Sequence, residues 1–233
     1  MTSNQESDLK TPDRRTRKTR VFLVDDHAMM RRGLTELING ETGMEVCGEA
    51  ATLGDAYSEI GKTNPDLVIV DIALDGNDGM ELTKDIIRRW PNLPILVYSM
   101  HDETIYAERA LRAGAKGYVM KRHPPEVLLD GISQILRGKT FLSEQMSDRL
   151  IGKMVGAGAS DTVTRAPIDK LSDRELEVFQ LIGKGLSTND IAEQLCLSVK
   201  TIETYRGHLK TKLNLRTGNE LVRYAIEWSL ERS

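Results

Sequence analysis

Five side chains in the first half of this 233-residue sequence are of types that together can handle a phosphoryl group: Asp25, Asp26, Asp71, Ser99 and Lys121. Each follows a short apolar run: VFLV before the acidic pair, LVIV before Asp71, ILVY before Ser99 and GYVM before Lys121. Carboxylates crowded into one pocket repel each other unless a cation sits among them. A few hard oxygen donors suit Mg2+, which keeps several waters and shares ligands with phosphoryl groups. A carboxylate is also a nucleophile that can form an aspartyl phosphate, and this marks Asp71. Phosphoryl transfer asks chiefly for positioning and neutralisation of charge. Mg2+ held by Asp25 or Asp26 with Asp71, the Lys121 ammonium as a point charge and the Ser99 hydroxyl would divide the phosphoryl oxygens among them. Taken singly, an Asp at a strand end more often caps a turn and a lone Lys is more often surface. The joint pattern is what points to chemistry.

That pattern needs elements to position it. Apolar runs at 21–26, 44–50, 67–71, 94–100 and 116–121 read as buried strands. Amphipathic stretches lie between and after them: a helix carrying Met30, Leu34, Leu37 and Ile38, then 53–62, 79–90, 103–113 and one opened by Pro124-Pro125 and running to about Arg137. Five strands alternating with five helices predict a doubly wound, flavodoxin-like parallel sheet with helices on both faces. Such sheets carry their working residues at the carboxyl ends of the strands, where the marked side chains fall.

From residue 168 onward no strand pattern occurs. Helical stretches at 173–183, 188–195, 199–213 and 218–230 predict a four-helix domain, with Ser172, Thr188, Ser198 and Thr217 or Gly218 in capping positions. Ile191, Ala192, Leu195, Ile202, Leu209 and Leu213 recur at helical spacing and make a small core. Between the two halves a helical extension at 143–155 leads into GAGASDTVTRAP, small, polar and closed by proline, which reads as a linker.

Charge is unevenly spread. Residues 20–142 hold 14 Lys and Arg against 19 Asp and Glu, whereas residues 168–233 hold 10 of each. Within 200–216, Lys200, Arg206, Lys210, Lys212 and Arg216 face Glu203 alone. An acidic first half and a basic stripe in the second suit a cation site followed by a polyanion site. No apolar run approaches the ~20 residues of a membrane span, and the polar, basic start has no signal-like apolar core. The two cysteines, Cys47 and Cys196, fall in different halves, in keeping with reduced thiols and a cytoplasmic setting. No glycine-rich nucleotide fingerprint, P-loop or nucleophile elbow supports the competing reading, an enzyme on a doubly wound sheet.

Residues 20–138 resemble the receiver domain of two-component response regulators, on the acidic pair Asp25-Asp26, Asp71, the loop 76–79, Ser99 and Lys121. The resemblance implies phosphorylation of Asp71 by a sensor histidine kinase or a small phosphodonor. It also implies Mg2+ on Asp25, Asp26, Asp71 and the backbone carbonyl of Ala73, a hydroxyl switch at Ser99, an aromatic switch at Tyr118 and a phosphoryl-pairing role for Lys121. Three positions depart from the common pattern: Asp75 replaces a frequent proline, Arg122 replaces the proline that often follows the lysine, and Met100 replaces a small residue.

Residues 171–227 resemble the LuxR-type helix-turn-helix of the NarL/FixJ family, on Leu171-Ser172, Arg174-Glu175, Gly185, Ile191-Ala192, Leu197-Ser198, Thr201-Ile202 and Lys212-Leu213. The resemblance puts Glu203, Thr204 and Gly207 at base-facing positions of a recognition helix. Lys200, Thr201, Arg206, Lys210 and Lys212 are then expected to hold phosphates. Gly207 is unusual inside a helix, and close approach to DNA or to a neighbouring helix would account for it. The expected organisation is a basic disordered tail at 1–19, a receiver at 20–142, an extension and linker at 143–167 and a DNA-binding domain at 168–233. The expected function is phosphorylation-gated binding of promoter DNA as a homodimer. The alternative keeps DNA binding but makes the receiver a dimerisation module that works without phosphorylation.

Overall fold

The computed structural model describes residues 17–74, 77–156 and 167–230. Residues 1–16 of the expected disordered tail and most of the expected linker lie outside the described residues, as does Asp75. Thr19, the last residue expected in that tail, is instead the first residue of a strand, because its amide and the run that follows pair into the sheet. The first half contains β1 (Thr19–Val24), α1 (Ala28–Gly40), β2 (Met44–Ala50), α2 (Leu53–Thr63) and β3 (Leu67–Val70). After β3 come β4 (Ala73–Leu74), β5 (Asn77–Asp78), α3 (Gly79–Arg89), β6 (Ile95–Ser99), α4 (Glu103–Ala113), β7 (Gly117–Met120) and α5 (Pro125–Leu136). Five strands form one parallel sheet in the order β2-β1-β3-β6-β7. The chain is therefore the α/β doubly wound fold that the sequence predicts.

Strand residues alternate between the two faces of a sheet, and both faces are apolar here. Val21, Leu23, Leu67, Ile69 and Leu96 pack with Leu34 and Ile38 of α1 and Leu128 and Ile132 of α5. Phe22, Val24, Val68, Val70 and Val97 pack on the other side with Ile60 of α2, Ile86 of α3 and Ala110 of α4. This is why the strands read as continuous apolar runs rather than as alternating ones. The two-residue antiparallel pair β4–β5 was not legible in the sequence, since two residues are too short to show a period.

The second half follows α6 (Glu144–Gly156) and a 3-10 turn at Pro167–Lys170. It consists of α7 (Asp173–Gly183), α8 (Thr188–Gln194), α9 (Val199–Lys212) and α10 (Gly218–Leu230). Reciprocal capping boxes start α7 (Ser172 with Glu175) and α8 (Ser187 with Asp190), and Ser198 caps α9 by accepting from the Thr201 amide. The cap of α8 is thus Ser187, one residue before the expected Thr188, because only Ser187 stands three residues ahead of an acidic partner. Ile191, Ala192, Ile202, Leu209 and Leu213 are buried, and Leu195 packs against them. Cys196 takes the left-handed conformation (φ 51°) that ends α8 and turns the chain into α9. Among the described residues no helix is long and apolar enough to cross a membrane.

Candidate functional site

The parallel ladder brings the marked side chains together. The Asp25 amide donates to the Ala50 carbonyl, that of Asp71 to Val24 and that of Lys121 to Ser99, so these residues extend the strands by one hydrogen bond past their ends. Their side chains then converge. Lys121 Nζ lies 2.6 Å from Asp25 Oδ2 and 2.6 Å from Asp71 Oδ2, and all three side chains are almost fully buried. Asp71 Oδ1 accepts from the Ala73 amide at 3.0 Å. Asp25 Oδ1 accepts from the His27 amide at 2.8 Å, and His27 Nδ1 lies 2.7 Å from Asp26 Oδ1. Arg31 donates to the Asp25 carbonyl at 2.7 Å and anchors α1 against the pocket.

Electrostatics follow from this crowding. Burial pushes the Asp71 carboxyl above the usual carboxylate range, with Asp25 adding to the push and Lys121 offsetting part of it. Burial works against the Lys121 charge, but Asp71 and Asp25 outweigh it and lift the ammonium above its ordinary value. One donor atom from each of Asp25, Asp26, His27 and Asp71 lies within 4.8 Å of the others. Three carboxylates at that spacing are a fit donor set for a hard divalent cation. Gly79 makes the pocket possible: a Cβ there would stand 2.3 Å from the Asp71 carbonyl oxygen and 2.5 Å from Ile72 Cα.

Ser99 ends β6, the strand beside β3, and Tyr118 lies on β7, one strand further out. Ser99 is fully buried, and its Oγ accepts from the His101 amide at 3.3 Å. Tyr118 is 1% exposed, and its hydroxyl donates to the His101 carbonyl at 2.9 Å. The Tyr118 ring is thus inward, with a partner for its hydroxyl in place. Met100 is 69% exposed.

On α9, Ile202 and Leu209 face the core, while Lys200, Glu203 and Thr204 are exposed and Thr201, Arg206, Gly207 and Lys210 are half-buried. The Thr204 hydroxyl turns back to the Lys200 carbonyl at 3.0 Å, and the Thr201 hydroxyl meets Ser198 Oγ at 2.7 Å. A Cβ at Gly207 would meet nothing within 4 Å, so no neighbouring helix among the described residues asks for the glycine. Lys212 holds Glu175, buried at the start of α7, at 2.6 Å. Burial works against the Glu175 charge, but Lys212 and the Ser172 amide outweigh it and hold the carboxyl below its usual range.

Sequence reasoning missed three features. One is the Glu175–Lys212 pair, whose 37-residue separation no helical period reveals. The second is His101, which acts through its backbone. The third is a seam between the two halves, where Arg109 Nε of α4 lies 2.7 Å from Asp173 Oδ1 of α7.

The pattern of known proteins agrees with this geometry. A model of the response regulator receiver domain matches residues 21–133, and one of bacterial regulatory proteins of the luxR family matches residues 169–225. The chain is 38% identical over 213 residues to the oxygen regulatory protein NreC of Staphylococcus haemolyticus (strain JCSC1435), covering 91% of this chain and 98% of that one. A two-component response regulator of the LuxR family from Aurantimonas sp. SI85-9A1 is 36% identical with a TM-score of 0.55, over 59% of this chain and 99% of that one. A structure of two RcsB dimers bound to two parallel DNAs is 26% identical with a TM-score of 0.53, over 89% and 97%.

Proposed function

The chain belongs to the two-component response regulators that join a receiver to a LuxR-type helix-turn-helix, the NarL/FixJ family, and from that premise we propose that it accepts a phosphoryl group on Asp71 and then binds promoter DNA as a dimer. The observation that carries the reading is the burial of the Asp71 carboxylate against Lys121, with Asp25 on the same ammonium. An Asp71 carboxylate oxygen forms the new bond to phosphorus, and the donor's imidazole or acetate leaves with the electron pair of the broken bond. Lys121 remains as a point charge for a phosphoryl oxygen. The buried Ser99 hydroxyl stands at the next strand end to hydrogen-bond another.

Asp25, Asp26, Asp71 and the carbonyl of Ala73 would hold Mg2+, which when bound neutralises charge on the phosphoryl oxygens. The chain regulates transcription, and its chemistry is limited to taking up and losing its own phosphoryl group. The phosphodonor is a sensor histidine kinase, or a small acyl phosphate in its absence, and the setting is the cytoplasm. On α9, Glu203, Thr204 and Gly207 read bases. Thr204 offers its methyl because its hydroxyl is occupied, and Gly207 lets the helix backbone approach the groove. Lys200, Thr201, Arg206 and Lys210 hold phosphates, with Lys212 also facing its pull from Glu175. The RcsB dimers on DNA support the dimeric mode, since paired half-sites match paired recognition helices.

Incubation with acetyl phosphate and Mg2+ followed by intact mass tests the proposal. The parent chain gains one phosphoryl group and Asp71→Asn gains none. A full-yield adduct on Asp71→Asn removes Asp71 from the role.

A further inference from the structure

His27 stands at the N-cap of α1 and yet its side chain does not cap the helix. Cap positions favour Ser, Thr, Asp and Asn, whose side-chain oxygen accepts from the first amides of the helix. The His27 imidazole faces the acidic pair instead: Nδ1 lies 2.7 Å from Asp26 Oδ1 and 3.4 Å from Asp25 Oδ1. The main chain holds it there. The His27 amide donates to Asp25 Oδ1 at 2.8 Å, and its carbonyl accepts from the Arg31 amide at 3.1 Å. The Arg31 side chain donates to the carbonyls of Asp25 and Asp26 at 2.7 and 3.2 Å, so the turn from Asp25 to His27 is tied down as a unit. The His27 side chain is 70% exposed, open to an incoming ion and its waters.

An imidazole changes what the pocket can hold. One donor atom from each of Asp25, Asp26, His27 and Asp71 lies within 4.8 Å of the others. Opposite donors of one ion at ~2.1 Å each stand roughly 4.2 Å apart, so small side-chain rotations let a single ion meet all four. Mg2+ takes oxygen ligands and keeps its waters, and gains little from a nitrogen. Imidazole suits the divalent ions of the first transition row, whose affinity for such mixed sites climbs from manganese to copper. The carboxylates serve both kinds of ion, whereas the imidazole serves one.

Taking as given the reading above that Asp25, Asp26, Asp71 and the Ala73 carbonyl hold the divalent cation, we infer that His27 Nδ1 is a further donor to it and tilts the pocket from Mg2+ toward a first-row transition ion. At 2.7 Å Nδ1–H donates to Asp26. Donation to an ion uses the other tautomer of the neutral ring, with the hydrogen on Nε2 and the Nδ1 lone pair directed at the metal. The ring gains and loses no charge in this exchange. The bond made at Asp71 is the same with either ion, and His27 decides which cation neutralises the phosphoryl oxygens.

The test titrates the full chain with Mg2+ and with Co2+ by calorimetry and records the proton NMR spectrum of the Co2+-loaded chain. There the ring protons of a coordinated imidazole are displaced far outside their usual range, and an Nε2–H signal among them disappears in heavy water. The parent is expected to show these signals. His27→Gln keeps an N–H for Asp26 at an exposed position but has no imidazole. It is expected to lose the signals and to bind Co2+ about tenfold more weakly, the low end of what losing even an outer partner of a metal ligand costs, with its Mg2+ affinity unchanged. Displaced ring signals that persist in His27→Gln belong to another histidine and overturn the inference. So does a parent without them, and so does an equal loss of Mg2+ and Co2+ affinity in His27→Gln, which would leave His27 only orienting Asp26. Asp25→Asn/Asp26→Asn tests the underlying reading separately. If that variant binds both ions as the parent does, the pocket is not the cation site and the reading falls together with the inference. If it binds neither and the parent shows no displaced imidazole signals, the reading stands and His27 alone is removed from the site.

Discussion

Lys121 is held by two buried carboxylates at equal distance, so its removal leaves Asp25 and Asp71 facing each other without a cation. Breaking a buried pair by deleting one partner costs about 3–5 kcal/mol. Asp71, already raised by burial, can relieve part of this by taking a proton, so Lys121→Met is expected near the lower figure in urea unfolding at neutral pH. The deficit should shrink as pH falls, because the raised Asp71 carboxyl binds a proton more readily than its unfolded counterpart. In the parent, the raised Lys121 value means that its contribution is present at neutral pH and fades only as pH climbs past the ordinary lysine value of 10.5. A second residue-scale expectation concerns Gly79, where a methyl would meet the Asp71 backbone at 2.3 Å. Gly79→Ala should lose about 1–3 kcal/mol through overpacking and slow phosphoryl uptake, because the displaced atoms are those of the acceptor strand. The acidic pocket was legible because each of its residues ends an apolar run. His101 was not, because a role carried by an amide and a carbonyl leaves no mark on the side-chain type.

Among the elements, α7 and α9 are joined by Glu175 and Lys212, and Glu175 also closes the capping box of α7. A depressed carboxylate stabilises the fold above its unfolded value of 4.5 and loses that contribution as pH falls through the folded one. Thermal unfolding should therefore show Glu175→Gln less stable than the parent at neutral pH, with the gap closing below about pH 4.5; a gap independent of pH would locate the loss in packing instead. The recognition helix calls for a different measurement. Glu203→Ala should relax base preference at one position of a randomised DNA library, worth roughly 1–3 kcal/mol of discrimination. Lys210→Ala should weaken all sequences alike and lower the salt slope by about one. If Lys210→Ala alters the selected motif and Glu203→Ala does not, the helix sits in the groove with another face. The helices were legible from caps and spacing, apart from the one-residue shift to Ser187. The pair β4–β5 was not, since its two-residue strands are set by the chain reversal between Asp71 and Gly79 rather than by any pattern of their own.

For the whole molecule, the two resemblances carried the two halves but said nothing of how they meet. Arg109–Asp173 joins residues 64 apart in sequence, of types that are ordinary on any surface, and only the fold brings them together. The charge balance was legible and has a consequence at this scale. Residues 168–233 carry 10 basic and 10 acidic residues, and Lys212 is engaged with Glu175, so one copy has few cations to spend on phosphates. Affinity for DNA falls with salt in proportion to the phosphates neutralised, with a slope of about −0.9 for each contact on duplex DNA. Two copies on paired half-sites double the contacts without any change in the helix. The phosphorylated parent is therefore expected to show about twice the salt slope of Asp71→Asn on the same duplex. Titrations by fluorescence anisotropy at several salt concentrations give both slopes. Equal slopes would put the same number of copies on DNA in both states and would separate dimerisation from phosphorylation, leaving the receiver as an assembly module whose acidic pocket serves another end.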